Sequence, residues 1–361
     1  MCNNIKELRS MEVIMRQRLL NTFPLIFLVL VIIFASSGCG RFIGKLSANY
    51  YFAQANKYFA EGQYRRAIEQ YEIALGHNPN LVEAYQYLGE SYKNLYRGPS
   101  VDTPENKERA ERALEALKRA YEIDPYNKDV IYSLGDMYDR LRDFKEAEKL
   151  YLRILKLEPT NMENYYVVAG FYKKYVPVRA TGSSGEQAGG EMEGTEEGKT
   201  AFQKAEEMYL RRIELDPENP EGYAYAAQFY EDLQPPDFDK AYKFHIYRTK
   251  LDPDDAIPWY SAGVNRFWKA FRLQTVLTKE ERIADAQEAI EALQKAIKLD
   301  PSFSSTYYYM NIVYRNIYAN IYPEKRSRYI AEADIWQQRA QDARKKELER
   351  KRLEQELRGI K

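Results

Sequence analysis

The chain has 361 residues, with 54 basic and 54 acidic side chains and a formal charge of zero. That balance gives no electrostatic pull toward nucleic acid. Hydrophobic residues make up 45%, enough for a substantial core in one to three domains, and two histidines and two cysteines leave no spacing for a His/Cys metal site.

At the N-terminus, Arg16 and Arg18 precede an apolar run from Leu19 to Ala35, followed by Ser36, Ser37, Gly38 and Cys39. A basic region, an apolar region and small residues before a cleavage point describe a secretory signal. The run is also at the lower limit for a spanning helix, so length leaves a cleaved signal and an uncleaved anchor helix both open. The Ser37-Gly38-Cys39 stretch resembles the lipobox of bacterial lipoproteins, although Ser36 stands where a branched aliphatic residue is usual. The resemblance implies a signal over 1–38, lipidation of Cys39 and a tether over 39–47. Met1, Met11 and Met15 are alternative starts. The basic residues before the run hold the N-terminus inside and place the rest beyond the membrane. Gly40, not Asp, follows the cysteine, which by the same resemblance implies the periplasmic face of the outer membrane. The alternative is an inner-membrane anchor facing the periplasm. Cleavage removes Cys2, leaving no pair for a disulfide.

Proline then marks a period. Pro79, Pro125, Pro159, Pro217, Pro253 and Pro301 close similar segments, with gaps of 46, 34, 58, 36 and 48. A minimum of 34 with insertions predicts a solenoid of two-helix units. In residues 48–81, Tyr51, Ala55 and Tyr58 share one helical face, Ala67, Tyr71 and Ala74 share another, and Gly62 falls between them. Helices this short are marginal alone, so they must bury their faces against one another.

This pattern resembles the tetratricopeptide repeat. Residues 128–161 carry it with Ile131, Leu134, Gly135, Tyr138, Ala147, Tyr151 and Pro159, and the second repeat has Leu88, Gly89, Tyr92, Ala113, Leu117 and Ala120. The sixth has Trp259, Gly263, Ala289, Leu293 and Ala296, with Arg266 in place of its tyrosine. The resemblance implies an all-α superhelix of about seven repeats, near 48–81, 82–127, 128–161, 162–219, 220–255, 256–303 and 304–345. Gly and Ala let backbones approach, and Tyr fills the space between them, which accounts for many of the 32 tyrosines.

Insertions fall between the two helices of repeats 2, 4, 6 and 7. "LTKEER" sets Thr278 and Glu281 as a capping box, and "DTPENK" sets Thr103 before Pro104. The stretch over 179–200 is rich in Gly and Glu and reads as disordered. A charged helix is expected over 346–361.

No nucleophile motif and no phosphate-binding glycine loop is present; His77 lies before Pro79, and His245 takes a slot held elsewhere by Tyr or Leu. The reading is therefore a non-enzyme without cofactor or metal. In the resembling family the first helices line a groove. The matching slots hold Phe52, Asn56, Phe59, Glu83, Glu90, Asp129, Tyr132, Asp136, Asp139, Arg140, Tyr166, Lys173, Tyr260, Phe267 and Trp268. The family's carboxylate clamp is missing, since its slots hold Phe52, Tyr87, Asp129 and Ser133, and only Asn56 is retained. An acidic, tyrosine-bearing groove favours a helix or extended segment with basic and apolar residues. The expected function is a lipid-anchored scaffold in the cell envelope that helps assemble a membrane or export complex. One alternative is a polysaccharide-system component that contacts glycan through Tyr260, Phe267 and Trp268. Another is an adaptor that presents proteins to an envelope protease.

Overall fold

The computed structural model describes residues 44–176 and 199–359, and every regular element in them is helical. The expected signal or anchor, Cys39 and almost all of the stretch over 179–200 lie outside the described residues. Among the described residues no helix is long and apolar enough to cross a membrane. The chain divides into two compact units, Met1–Leu157 and Glu158–Lys361.

Among the described residues, the first unit holds three helical hairpins. They are α1 (44–60) with α2 (Tyr64–His77), α3 (Val82–Leu95) with α4 (Pro104–Ile123), and α5 (Lys128–Arg140) with α6 (Phe144–Leu157). Helix α1 thus begins within the span expected as tether, and His77 is the last residue of α2. Gly62 ends α1 with φ +72°. Its N–H donates to the Phe59 carbonyl at 3.0 Å, and that of Gln63 to Tyr58 at 2.8 Å. This paired arrangement requires a left-handed residue, for which glycine has no steric penalty. Arg142 repeats the geometry at the end of α5 with φ +62°.

The second unit holds four hairpins. Its first two are α7 (Met162–Lys173) with α8 (Ala201–Leu215), and α9 (Pro220–Glu231) with α10 (Phe238–Leu251). They are followed by α11 (Ala256–Arg272) with α12 (Lys279–Leu299). The last pairs α13 (Ser304–Val313) with α15 (Arg326–Gly359), joined through a π-turn at Tyr314–Tyr318, a short α14 (Ala319–Ile321) and a 3₁₀ turn at Pro323–Lys325. The extra residues of the second repeat lie in an α4 of 20 residues and the segment before it. Those of the sixth lengthen α11 to 17 residues and α12 to 21. Helix α15 runs 34 residues without a break, so the change to dense charge near 346 does not end a helix.

The prolines have a local reason. Two residues after Pro125, Pro159, Pro217 and Pro253, the side chains of Asn127, Asn161, Asn219 and Asp255 accept from the first free N–H groups of α5, α7, α9 and α11. The proline ends one repeat and the Asn or Asp caps the next. Six residues after the proline, Tyr165, Tyr223 and Tyr307 each donate their hydroxyl to the proline carbonyl at 3.0 Å. Where Ile131 replaces that tyrosine, Arg153 reaches the Pro125 carbonyl instead, at 2.9 Å. In these three repeats tyrosine offers a hydrogen bond to the proline carbonyl that phenylalanine could not.

In three hairpins the helices meet at a residue without a side chain. A Cβ on Gly89 would lie 2.5 Å from Leu117 Cγ and 3.1 Å from the Ala113 carbonyl. At Gly263 the same atoms of Leu293 and Ala289 would lie at 2.7 and 3.0 Å. Gly135 is looser, with its nearest neighbour at 3.5 Å. Around these crossings lie Ala67, Ile68, Tyr71, Ala84 and Leu88 in the first unit, and Ala289, Leu293, Met310, Val313 and Trp336 in the second. The glycine contacts predict opposite signs for one substitution. Gly89→Ala and Gly263→Ala lower stability by about 1–3 kcal/mol through overpacking. Gly135→Ala raises it by about 0.5–1 kcal/mol because alanine is the better helix former. Urea unfolding of the three variants, followed by circular dichroism, checks both.

Candidate functional site: the walls of first helices

The first helices of successive hairpins touch one another, forming one wall in each unit: α1, α3 and α5, then α7, α9, α11 and α13. Counting from the first residue of each repeat, the contacts recur at fixed positions. Position 5 of one helix meets position 6 of the next. Phe52 lies 6.3 Å from Tyr87, Tyr166 lies 4.3 Å from Tyr225, and Tyr260 lies 5.6 Å from Tyr309, between ring centres. At the junction without aromatics, Gln86 donates to the Ser133 hydroxyl at 3.3 Å.

Position 12 makes a second lock. Phe59 packs on Tyr87 at 5.3 Å and Phe267 on Tyr309 at 5.7 Å. Lys93 Nζ lies 2.7 Å from Asp136 on the next helix and 2.7 Å from Glu90 on its own. Lys173 lies 2.5 Å from Asp232. Glu231 accepts from Asn265 at 2.7 Å and contacts His245 Nε2 at 3.0 Å. His245 is thus buried in a polar network, in place of the apolar packing its slot suggests.

These contacts correct several expected groove residues. Phe267 is 1% exposed and belongs to the core, so it cannot form a glycan platform with Tyr260 and Trp268. Tyr260 is half-buried against Phe303 at 4.7 Å. Burial, reinforced by Tyr309 and opposed by a hydrogen bond with Ser305, pushes its hydroxyl up to about 12. Trp268 is half-buried against Phe271, with Arg272 over its ring at 5.0 Å. Asp139 is buried and engaged within the protein. Glu90 and Asp136 are neutralised by the buried Lys93, and Arg140 Nε adds a contact to Asp136 at 3.3 Å. Asn56 accepts the Tyr71 hydroxyl at 2.7 Å and is engaged there. Phe52, Phe59 and Lys173 serve as locks between helices.

What stays open is narrower. Tyr132, Tyr166 and Tyr308, all at position 5, are 46%, 39% and 51% exposed. Position 2 carries the acids. Glu83 and Asp129 are exposed, and neither forms an ion pair among the described residues. In the second unit, Glu163 and Glu221 lie 2.9 and 3.4 Å from Arg212, whose buried guanidinium sits over the Tyr225 ring at 4.5 Å.

Arg266 explains its departure from the repeat pattern. It is buried, lies 2.7 Å from Asp239 and 3.4 Å from Asp285, and covers the Tyr242 ring at 3.6 Å. Lys269 joins at 2.8 and 3.3 Å from the same acids. Burial pushes the Asp285 carboxyl up. Burial also opposes ionisation of Asp239, but hydrogen bonds from Arg266 and Lys269 outweigh it and hold that carboxyl below its ordinary value.

Family models described as the tetratricopeptide repeat match residues 52–93, 107–168 and 281–303. Those stretches are tetratricopeptide repeats. Among solved structures, the C-terminal part of a TPR repeat-containing protein from Cytophaga hutchinsonii is 13% identical, covering 81% of this chain and 95% of that one at a TM-score of 0.48. The crystal structure of MamA is 20% identical, covering 55% and 94% at 0.35. The first TPR of Spaghetti, solved with an HSP90 peptide, is 22% identical, covering 35% and 91% at 0.30. No curated protein matches the chain in sequence.

The division of the wall into locks and open positions has a measurable consequence. Lys93→Ala leaves the largely buried Glu90 without a cation and Asp136 with only the longer contact to Arg140, and costs about 3–5 kcal/mol. Glu83→Ala and Asp129→Ala, at exposed positions, change stability by no more than about 0.5 kcal/mol. Thermal melts of the three variants separate the classes.

Proposed function

We propose that this protein is a non-enzymatic scaffold that holds a protein partner on its walls of first helices. The observation that carries the reading is the repeated division of those helices. Positions 6 and 12, with Phe52 and Tyr260 at position 5, lock each helix to its neighbour, whereas Tyr132, Tyr166 and Tyr308 at position 5 keep an exposed edge and position 2 presents carboxylates. A rigid surface with spaced amphipathic rings and acids suits a helix or extended segment carrying Lys or Arg beside apolar anchors. With Glu90, Asp136 and Asp139 engaged internally, Glu83 and Asp129 are the acids that meet such a partner in the first unit.

The scaffold is tethered by lipid on Cys39 at the periplasmic face of the outer membrane, where it supports assembly of a membrane or export complex. The lipobox-like Ser37-Gly38-Cys39 stretch supports this placement. Gly44, the first described residue of α1, lies five residues after Cys39. Five residue steps reach about 18 Å at most, which keeps the first hairpin close to the bilayer.

Crosslinking in intact membranes followed by mass spectrometry identifies the partner, whose affinity is then measured with purified protein. Combined Glu83→Lys and Asp129→Lys substitution weakens that affinity by about tenfold, equivalent to about 1.4 kcal/mol, and added salt weakens it too. Binding that is unchanged by both would contradict the reading. Metabolic labelling with a fatty acid tests the tether, and Cys39→Ser abolishes the label.

A further inference from the structure

A second charged feature lies apart from the wall, at the loop edge of the first unit. The turn between α1 and α2, the end of α3 and the start of α4 enclose a cleft of about 480 Å³. Four arginines line it, Arg65, Arg66, Arg97 and Arg109, with the amides of Gln63 and Asn94 beside them. One carboxylate serves two of them: Glu105 is paired with Arg109 and lies 3.8 Å from Arg65. Arg109 also donates to the Leu95 carbonyl at 3.2 Å. Among the described residues Arg66 reaches neutral partners only, donating to Gln63 Oε1 at 2.9 Å and lying 5.7 Å from the Tyr58 ring centre. The Arg97 guanidinium makes no ion pair among the described residues, and Glu61, the other acid near the turn, is held by the Gln63 amide at 2.8 Å.

Guanidinium groups gathered around one cleft repel one another unless an anion lies among them. Glu105 supplies a single charge to four cations. We propose that this cleft binds a phosphate group. A phosphate carries up to two charges and several acceptor oxygens on one centre. That matches forked donors lining one cleft from separate elements better than one more carboxylate does. Arg66 and Arg97 supply the uncompensated charge, Arg65 and Arg109 are shared with Glu105, and the two amides complete a polar lining. A soluble phosphate compound and the phosphate of an anionic lipid headgroup present the same chemistry to these residues. Since the cleft is lined by none of the residues that form the wall contacts or its open positions, its failure would leave the scaffold reading untouched.

The test uses the full chain in detergent, titrated with inorganic pyrophosphate by calorimetry. It also measures flotation with phosphatidylcholine vesicles with and without phosphatidylglycerol. Arg66→Ala and Arg97→Ala remove exposed side chains and leave the thermal melt unchanged. Each lowers pyrophosphate affinity by about tenfold, and salt lowers it further. Arg352→Ala, at an exposed position of α15 in the second unit that does not line the cleft, leaves affinity unchanged. If pyrophosphate does not bind but phosphatidylglycerol increases flotation, and the double variant loses that increase, the phosphate is a lipid headgroup. Absence of both effects would overturn the proposal. So would a double variant that binds like the parent, or an Arg352→Ala loss as large as that at Arg66.

Discussion

Two helix crossings in this molecule leave no room for a methyl group. At Gly89 and Gly263 the backbone of a first helix lies against a leucine and a backbone carbonyl of its partner. Everything else depends on that contact. A hairpin closed this tightly fixes its two helices relative to each other, and a helix of 14 residues such as α3 gains from burial what it lacks in intrinsic stability. Once each hairpin is rigid, the exposed side of its first helix points in a defined direction and can stack in register with the next.

The walls follow from that register. Because the repeats start their first helices at the same place after a proline, position 5 of one helix faces position 6 of the next at four junctions. The chemistry varies: rings at three junctions, and an amide to a hydroxyl at Gln86 and Ser133. The geometry does not. Position 12 adds a second point of attachment, apolar at Phe59 and Phe267 and ionic at Lys93 and Lys173. Two attachments per junction set both the spacing and the rotation of neighbouring helices. The same contacts decide which side chains remain for a partner. Residues that a helical wheel places on one open face divide into those that hold the wall together and those that look outward.

Much of the architecture could be read from the sequence, because its signals are local. The proline period, the small residues at Gly89 and Gly263, the turn at Gly62 and the caps at Thr103 and Thr278 each act within one repeat. The Pro-x-Asn/Asp cap at Asn127, Asn161, Asn219 and Asp255 was equally local and readable by the same logic. The site was less legible, because its residues are defined by partners about one repeat away. Lys93 looks like a surface cation until Asp136 is beside it, and Phe267 looks like a groove aromatic until Tyr309 covers it. Arg266 departs from the tyrosine pattern, and its reason lies in Asp239 and Asp285 on other helices. The end of the array was hard to place for a different cause. Dense charge favours solvent but does not stop a helix, and α15 continues through it.

The central claim is that partner binding uses the outward tyrosines of the first helices and leaves the rest of the surface alone. Hydroxyl-radical footprinting, with and without the identified partner, compares tyrosines of similar exposure inside one molecule. Tyr132, Tyr166 and Tyr308 lie on the walls, whereas Tyr126 and Tyr247 are 70% and 44% exposed elsewhere. The account predicts that the partner protects one or more of the wall tyrosines and leaves Tyr126 and Tyr247 as reactive as before. Protection of Tyr126 or Tyr247 with the wall tyrosines unchanged would contradict it.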